Sequence, residues 1–291
     1  MKQIVIISGK GGTGKTIIAA SFACLAKNKV IADCDVDAAD LHLLLHPDIK
    51  ETHQFIGGKK AVIDKKRCTQ CGKCVEVCRF DAIRRGGVTP PLQFYIDRIS
   101  CEGCGVCANI CPEGAIQMEK SVNGEWYISN TKYGPLVHAK LGIAEENSGK
   151  LVTLVRQNAK TIAEKESMDY IIIDGPPGIG CPVIASISGV DLALVATEPT
   201  LSGIHDMERV VGVAKHFGIK TACVINKYDI NWKNSSRIED WLRSGNIPVA
   251  GKIPFDTIVT KAMVHGIPVV EYSQNLVSRE IENIWQRLIK I

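Results

Sequence analysis

The sequence predicts an α/β fold: a doubly wound, mostly parallel sheet, interrupted by a small α+β module that is rich in cysteine. Short apolar runs of strand length alternate with helical segments through most of the 291 residues, which is the pattern of a parallel sheet covered by helices. Eight of the 12 cysteines fall between positions 68 and 111, which indicates a separate module. With 45% hydrophobic residues, the chain is long enough for one large domain and one small one.

The composition limits the class of protein. A net charge of +4 without a run of five basic residues argues against nucleic-acid binding. No segment approaches the roughly 20 apolar residues of a membrane span, and the N-terminus lacks the cleavage site of a signal peptide. We therefore expect a soluble, cytoplasmic protein with no stable membrane insertion. In a reducing compartment, 12 thiols indicate metal or redox chemistry before disulfides.

The N-terminus runs from a strand-like segment, residues 3–7, through a glycine loop into an apolar-periodic helix that ends near Lys27. Strand, glycine loop and helix together are the context of a P-loop phosphate site. Its glycines let backbone N–H groups approach the β-phosphate, Lys15 supplies charge to the β- and γ-phosphates, and the Thr16 hydroxyl coordinates Mg²⁺. The predicted nucleotide-binding residues of the loop are Gly9, Gly11, Gly12, Thr13, Gly14, Lys15 and Thr16.

Further strand-like runs end in polar residues. One run leads into Asp33, Asp35 and Asp37, and a later run leads into Asp174 and Gly178. Since ligands of doubly wound sheets bind at the carboxyl ends of the strands, we expect these side chains near the phosphate loop.

A second lysine, Lys10, follows the first glycine of the loop. The resulting sequence, Lys-Gly-Gly-Thr-Gly-Lys-Thr, resembles the deviant Walker A motif of the MinD/ParA/Mrp/nitrogenase-iron-protein class of P-loop ATPases. The resemblance implies an ATPase that uses ATP/ADP and Mg²⁺ and forms a homodimer on ATP binding, in which Lys10 reaches the partner's nucleotide. It also implies that Asp35 orients the attacking water, with Asp37 as an open alternative. Asp174 would hold Mg²⁺ through water, and Gly178 would sense the γ-phosphate.

Two later segments complete the implied site. Asn226 and Lys227 resemble the base-recognition motif of the class, with Asn226 bound to adenine. Pro254 lies in a segment, residues 251–256, that resembles the loop closing over the base from the other side. By this resemblance the catalytic residues are Lys10, Lys15, Asp35 and Asp174.

The clustered cysteines form two runs of the same spacing. This spacing is typical of bacterial two-cluster ferredoxins, in which the fourth cysteine of each run ligates the other cluster. Two structural zinc sites are the alternative, although zinc leaves the third cysteine of each run without a role. The predicted ligands are Cys68, Cys71, Cys74 and Cys111 for one [4Fe-4S] cluster, and Cys101, Cys104, Cys107 and Cys78 for the second.

The two parts are interleaved along the chain. Residues 1–52 and 120–291 are predicted to form the ATPase domain, and residues 53–119 an inserted bacterial-type ferredoxin domain. The combination resembles MinD-superfamily ATPases with an inserted ferredoxin. We expect two short β segments around glycine turns, such as Gly57-Gly58, to bring the ends of the insert together.

This organisation supports three hypotheses of function. The first is ATP-gated electron transfer to an unidentified redox partner. The second is a scaffold or carrier ATPase that assembles iron–sulfur or other metal cofactors with a cofactor-maturation partner. The third is a MinD/ParA-like positioning ATPase with a redox sensor.

Three weaker signals stay open. Cys181 is either a cluster ligand across a dimer or a small packed residue, and the second is favoured because one thiol per subunit supplies only two ligands and free cysteines are commonly buried. Residues 134–149 are expected to form a contact loop whose His138, Glu145 and Glu146 face a partner or solvent. The last apolar-periodic segment, residues 277–291, is expected to form a helix packed on the sheet.

Overall fold

A computed structural model describes residues 1–86, 92–142 and 148–291. These residues form two compact units. The larger contains Met1–His53, Trp126–Lys140 and Ser148–Ile291, and the smaller contains Gln54–Glu125 and a short segment that starts at Leu141.

The described residues form eleven strands and eleven α-helices. The strands are β1 (Lys2–Ser8), β2 (Lys29–Asp33), β3 (Asp48–Ile63), β4 (Ile83–Gly86), β5 (Gln93–Ile96), β6 (Ile116–Thr131), β7 (Gly134–Leu141), β8 (Tyr170–Pro177), β9 (Leu192–Thr197), β10 (Thr221–Asn226) and β11 (Val249–Ile253). The helices are α1 (Lys15–Leu25), α2 (His42–Leu45), α3 (Lys73–Glu76), α4 (Val106–Ile110), α5 (Ser148–Lys165), α6 (Cys181–Ile187), α7 (Leu201–His216), α8 (Trp232–Ser244), α9 (Thr257–Val264), α10 (Val269–Tyr272) and α11 (Leu276–Leu288).

Nine strands form one sheet in the order β11-β10-β9-β1-β8-β2-β7-β6-β3. The pairs of β1 with β8 and β9, of β2 with β7 and β8, and of β10 with β9 and β11 are parallel. The predicted α/β fold with a mostly parallel sheet is therefore confirmed. In this order β1 lies centrally, which places the loop after it at the middle of the carboxyl edge.

Burial on both faces explains the unbroken apolar runs of the central strands. Ile4 and Ile6 of β1 join a core cluster with Phe22 of α1 and Ile284 of α11. The alternate residues, Val5 among them, are equally buried. A strand covered by helices on both faces needs apolar residues at every position, so it does not alternate.

The glycine pair at 57 and 58 does not end a strand. Both residues lie inside β3, which, like β6, has 16 residues, so the expected short segments are wrong. A Cβ atom on Gly57 would lie 2.9 Å from the Phe55 ring, and the Gly57 N–H donates to Asn123 Oδ1 at 2.9 Å. The glycine therefore serves close packing within a strand and not a turn.

The expected contact loop at residues 134–149 is also wrong in its first half, because residues 134–141 form β7. His138 is buried and shares a 2.9 Å hydrogen bond with Ser129. Burial, with a smaller contribution from His42, lowers the pKa of His138 to about 4. The side chain is thus a neutral core residue, while Glu145 and Glu146 lie outside the described residues.

The expected C-terminal helix is confirmed as α11. It buries Val277, Ile281, Ile284 and Leu288 together with Trp285. Within the described ranges, no helix has the length and apolar character needed to cross a membrane.

The smaller unit has an α+β composition of its own. Its helices α3 and α4 each follow a glycine with positive φ, Gly72 at +80° and Gly105 at +76°. Strands β4 and β5 form an antiparallel pair. A separate apolar cluster that includes Ala61, Ile83 and Ile116 forms its core.

Candidate functional site

The phosphate loop connects the end of β1 to the start of α1 through two glycines in the left-handed region. Gly12 has φ +77° and Gly14 has φ +90°. A Cβ atom on Gly14 would lie 2.4 Å from Asn226 Nδ2, and one on Gly9 would lie 2.4 Å from the Asp206 backbone oxygen. The loop conformation and its close neighbours therefore require glycine at these positions.

A cavity of about 430 Å³ opens beside this loop. Its volume is within the range of small-molecule sites. The predicted nucleotide residues that line it are Gly12, Gly14, Lys15, Thr16, Asn226, Lys227 and Pro254. The opposite wall is apolar and includes Leu43, Val259 and Ile281, a surface type suited to a planar base.

Two buried carboxylates, Asp35 and Asp174, interact with Lys15, and a third, Asp33, interacts with Asp174. Asp33 and Asp174 are paired residues on the adjacent strands β2 and β8. Burial raises the pKa of Asp174 to about 7, against the opposing effects of Lys15 and of a hydrogen bond from Thr16. Burial likewise raises the pKa of Asp35 to about 6, and Lys15 is the largest opposing charge.

The structure separates the two candidates for the water-orienting acid by exposure. Asp35 is buried, with 8% of its surface exposed, and interacts with Lys15. Asp37, two residues later, is exposed. Their spacing in the sequence does not decide which acid orients the water, whereas burial beside Lys15 favours Asp35.

Several buried polar atoms at the loop have no hydrogen-bond partner among the described residues. They include Asp33 Oδ2, Asp174 Oδ1 and Thr13 Oγ1. Because an unpaired buried carboxylate oxygen is costly, such atoms indicate a missing ligand. Carboxylate and hydroxyl oxygens are the donors that Mg²⁺ prefers, so the residues present fit a magnesium nucleotide.

Lys10 does not point into the cavity beside its own loop. Its Nζ lies 2.6 Å from Glu198 Oε1, 3.2 Å from Thr200 Oγ1 and 3.1 Å from Ser202 Oγ. Lys227 Nζ lies 3.2 Å from the other carboxylate oxygen of Glu198. Burial alone would raise the pKa of Glu198, but the two lysines outweigh it and lower that pKa.

Glu198 is a functional candidate that sequence reasoning missed. Its only signal in the sequence is its position directly after the apolar run that forms β9. The Lys10 ion pair joins segments 188 residues apart, which no local pattern can predict.

Asn226 and Gly178 are both tied to the phosphate-loop region. The Asn226 side-chain amide donates to the Thr13 carbonyl at 2.9 Å, and its Oδ1 accepts from the Lys227 N–H at 3.0 Å. Gly178 has φ +93°, and its N–H donates to the Ser8 carbonyl at 2.8 Å. The segments that contain Asn226 and Gly178 thus contact the loop region directly.

The remaining cysteines differ in their environments. Cys34 and Cys223 are buried, as core residues should be, and Cys24 is half-buried. Cys181 is the first residue of α6 and is exposed, so the packed position favoured by the sequence is wrong.

The smaller unit contains two cavities lined by cysteines, and the eight thiols of the two runs are all free. The first cavity is lined by Cys68, Cys71, Cys74 and Cys111. The second is lined by Cys78, Cys101, Cys104 and Cys107. In each cavity three cysteines come from one run and the fourth comes from the other.

Hydrogen bonds to sulfur accompany the first cavity. The Gln70 side-chain amide donates to Cys68 Sγ at 3.3 Å, and the Ala115 N–H donates to Cys111 Sγ at 3.3 Å. Over the part of the chain that the structure describes, no group of three or more ligand side chains is arranged around a single metal ion. Four donors around one cavity are the ligand number that a [4Fe-4S] cluster requires, so the residues fit such a group.

Known proteins resemble the chain over nearly its whole length. An uncharacterized protein of Methanocaldococcus jannaschii is 36% identical over 98% of this chain and 96% of its own length. The septum site-determining protein MinD of Bacillus subtilis is 23% identical, covering 99% of this chain and 89% of that protein. The MinD structure of Pyrococcus horikoshii complexed with Mg-ADP superposes with a TM-score of 0.60 at 18% identity, covering 99% of this chain and 96% of the other.

A family model supplies the assignment. The model of the CobQ/CobB/MinD/ParA nucleotide-binding domain matches residues 4–269. That range includes the phosphate loop, the three buried carboxylates and most of the residues that line the cavity. The chain therefore belongs to the CobQ/CobB/MinD/ParA nucleotide-binding family and is a P-loop ATPase.

Proposed function

We propose that this ATPase is a dimeric switch that carries two [4Fe-4S] clusters and couples its nucleotide state to electron transfer with a partner protein. The observation that carries the proposal is the pair of cysteine cavities, each lined by four thiols drawn from both runs. The four cysteines at each cavity are the crossed set that two-cluster ferredoxin spacing assigns.

The ATP reaction is assigned to the residues around the phosphate loop. Lys15 binds the β- and γ-phosphates, and Thr16 and Asp174 hold Mg²⁺, the latter through water. Asp35 orients the water for in-line attack, and the charges of Lys15 and of the metal stabilise the transferred phosphoryl group. Two orphaned carboxylate oxygens, on Asp33 and Asp174, support a cation at this place.

The dimer is assigned to Lys10. In the structure its ammonium group is bound by Glu198, Thr200 and Ser202, outside its own phosphate cavity. We infer that ATP binding by two copies draws Lys10 away from Glu198 to the partner's nucleotide. An Aquifex aeolicus MinD, bound to MinC, has the same fold at a TM-score of 0.59 and 20% identity.

The redox half is assigned to the eight cysteines of the smaller unit. Clusters held there would take up and release single electrons. The protein's own contribution is to supply the thiolates, to donate hydrogen bonds to Cys68 and Cys111, and to surround the cavities with apolar side chains such as Ile63 and Phe94. Hydrogen bonds and burial of this kind set the potential of a cluster.

Metal analysis of anaerobically purified protein tests the redox half. Two clusters predict about eight irons and eight sulfides per chain. Cys71→Ser should remove about half of that iron, whereas the exposed control Cys181→Ser should keep it. About two zinc ions per chain without sulfide would establish the zinc alternative and end the proposal.

The carrier hypothesis is the second candidate, because each cavity has one exposed cysteine, Cys71 or Cys104, through which a cluster could be released. Protein trapped with ATP, loaded with ⁵⁷Fe and mixed with an apo-ferredoxin, separates the two functions. Transfer of electrons without loss of ⁵⁷Fe supports the electron-transfer proposal. Transfer of the iron itself supports the carrier.

A further inference from the structure

The positive charge of the smaller unit is concentrated at the first cysteine cavity. Lys65, Lys66 and Arg67 are exposed and form the turn that leads directly into Cys68, closed by the Arg67 and Cys68 N–H groups donating to the Asp64 carbonyl. Lys73 is exposed and lines the same cavity.

A fifth cation joins this group from the β4–β5 pair. The Arg85 guanidinium lies over the ring of Phe94, 5.8 Å from its centroid, and Phe94 lines the first cavity. We call these five residues the basic rim: Lys65, Lys66, Arg67, Lys73 and Arg85.

The charges of the basic rim are not neutralised by ion pairs within the described residues. Across the described residues, none of the five forms an ion pair with a carboxylate. Arg67 donates to the backbone carbonyl of Glu113, which leaves its charge uncompensated. Two carboxylates lie beside the basic rim: Glu113 lines the cavity, and Asp64 accepts a hydrogen bond from the Lys66 N–H at 2.9 Å. Five cations beside these two acids leave a positive excess.

The second cavity has a different rim. Its charged lining residue is Glu102, and the nearby Arg84 is paired with Asp97 at 3.4 Å. Phe80 and Val106 line it as well and are 43% and 46% exposed. The two cavities are thus equivalent in their cysteines but differ in their charged neighbours. Lys73 and Glu113 line the first cavity, whereas Glu102 lines the second, and exposed Arg79 lies beside the second between its lining residues Cys78 and Phe80.

We propose that the basic rim is the docking surface for an acidic one-electron redox protein, which makes the first cavity the place where electrons enter or leave the smaller unit. Unpaired cations around a redox centre attract a partner of opposite charge and orient it, which raises the association rate at low ionic strength. Cys71 is exposed, so the first cavity reaches the surface inside this positive region. The exchange moves one electron from the reduced protein to the oxidised one.

The inference rests on the proposed function, because it requires a cluster in the first cavity. The test uses the anaerobically purified full chain and an acidic flavodoxin as the probe, with dithionite as the source of electrons. Its variant is K65E/K66E, whose side chains are exposed in the turn before Cys68. The matched control is K120E/K140E, which changes the charge by the same amount at exposed positions outside the basic rim and outside the linings of both cavities.

Two readouts are compared: the Kd for the probe by calorimetry and the rate of its reduction by stopped flow. At low ionic strength K65E/K66E should raise the Kd and lower the rate by about tenfold, and K120E/K140E should change both by less than about twofold. The difference should disappear at about 0.5 M salt, where such charges are screened. Iron content and reduction potentials of both variants should equal those of the wild type.

Each contrary result has a distinct meaning. Protein without iron would refute the proposed function itself. Iron-replete K65E/K66E that binds and reduces the probe like the wild type would refute only the docking surface. A shifted potential with unchanged binding would make the basic rim a tuning device for the cluster. Tighter binding of an oligonucleotide than of flavodoxin would replace the acidic protein with a nucleic acid.

Discussion

Asp33, Asp35 and Asp174 are three interacting buried carboxylates, and two of them, Asp35 and Asp174, also interact with Lys15 of the phosphate loop. Burial raises the pKa of each, and in Asp33 the neighbouring Asp174 adds to the effect. Without a bound cation, the burial of these carboxylates in their charged form therefore destabilises the folded state. Binding of Mg²⁺ and nucleotide would remove this cost, which couples the stability of the fold to occupancy of the site.

Replacing Asp174 by a neutral residue should stabilise the fold, and the gain should increase with pH. The pKa of Asp174 in the folded chain, about 7, exceeds its ordinary value of 3.8, so the folded state holds the proton more tightly. The stabilisation by that proton is fully present below about pH 4 and is lost as the pH rises through about 7. In urea unfolding without nucleotide, Asp174→Asn should raise the free energy of unfolding by roughly 2 kcal/mol at pH 8 and by little at pH 4.

The response of the same variant to Mg-ATP tests whether Asp174 helps to hold the metal. Wild-type protein should gain stability from Mg-ATP at pH 8, whereas Asp174→Asn should gain little. A variant less stable than the wild type at pH 8 without nucleotide would show that Lys15 and Thr16 compensate the charge of Asp174 fully.

Asp35→Asn should trap ATP without turnover. The amide keeps the shape of the side chain but orients the attacking water poorly, and we expect kcat to fall by at least about 100-fold. Because the pKa of Asp35 is raised to about 6 by burial, kcat/KM of the wild type should also fall as the pH drops through about 6. Phosphate release measures the first effect at saturating ATP and the second at limiting ATP.

The exposed Asp37 is the matched control for this prediction. Asp37→Asn should leave kcat and its pH profile near those of the wild type. Loss of turnover in Asp37→Asn, with turnover kept in Asp35→Asn, would assign the water to the other acid.

At the scale of elements, α11 shows how the C-terminal segment stabilises the larger unit. Trp285 is 4% exposed, and its ring lies 5.2 Å from that of Phe22 and 5.4 Å from that of Tyr170. The helix thus joins the helix after the phosphate loop to a central strand. Its packing face was predictable from spacing, because a helix that covers a sheet must repeat its apolar residues every three or four positions.

Truncating this contact should destabilise the fold strongly. Trp285→Ala should cost about 3–5 kcal/mol in the free energy of unfolding, the usual range for a buried aromatic residue. Urea unfolding measures the change, and Trp232→Ala is the control because that side chain is 62% exposed. Similar losses in the two variants would mean that α11 is not part of the main core.

The elements that were predictable and those that were not differ in a physical way. The phosphate loop follows from local geometry, since only glycine takes the backbone of Gly14, and so it can be identified from a few residues. The length of β3 cannot be predicted from local sequence, because Gly57 suggests a turn. In the structure Gly57 lies within the strand, and its N–H donates to Asn123, which is distant in sequence. Strand β7 was missed because its residues are buried by neighbours distant in sequence.

At the scale of the whole molecule, a nucleotide site and a cysteine unit share one chain, and strands β3 and β6 each begin in one unit and end in the other. The motifs on either side could be predicted from sequence, since ligand spacing and phosphate loops are local. The coupling that we propose between them could be suggested from sequence, but the contacts that would carry it could not, because the Lys10–Glu198 ion pair joins residues distant in the chain. In the proposed switch, Lys10 has two alternative partners: Glu198 of its own chain and the nucleotide bound to the partner chain.

Lys10→Ala therefore tests the switch as a whole. The wild type should be a monomer without nucleotide and a dimer with ATP under conditions that block hydrolysis, measured by light scattering after gel filtration. Lys10→Ala should remain a monomer with ATP while its Kd for ATP changes by less than about threefold, because Lys10 contacts Glu198 and not the cavity of its own loop. Glu198→Gln should have the opposite effect on dimerisation. With the 2.6 Å ion pair weakened, Lys10 is released more easily, so dimers should form at a lower ATP concentration than in the wild type. A Lys10→Ala protein that dimerises normally with ATP would exclude the trans role. A Glu198→Gln protein that needs more ATP than the wild type would show that Glu198 supports the dimer and does not hold the monomer.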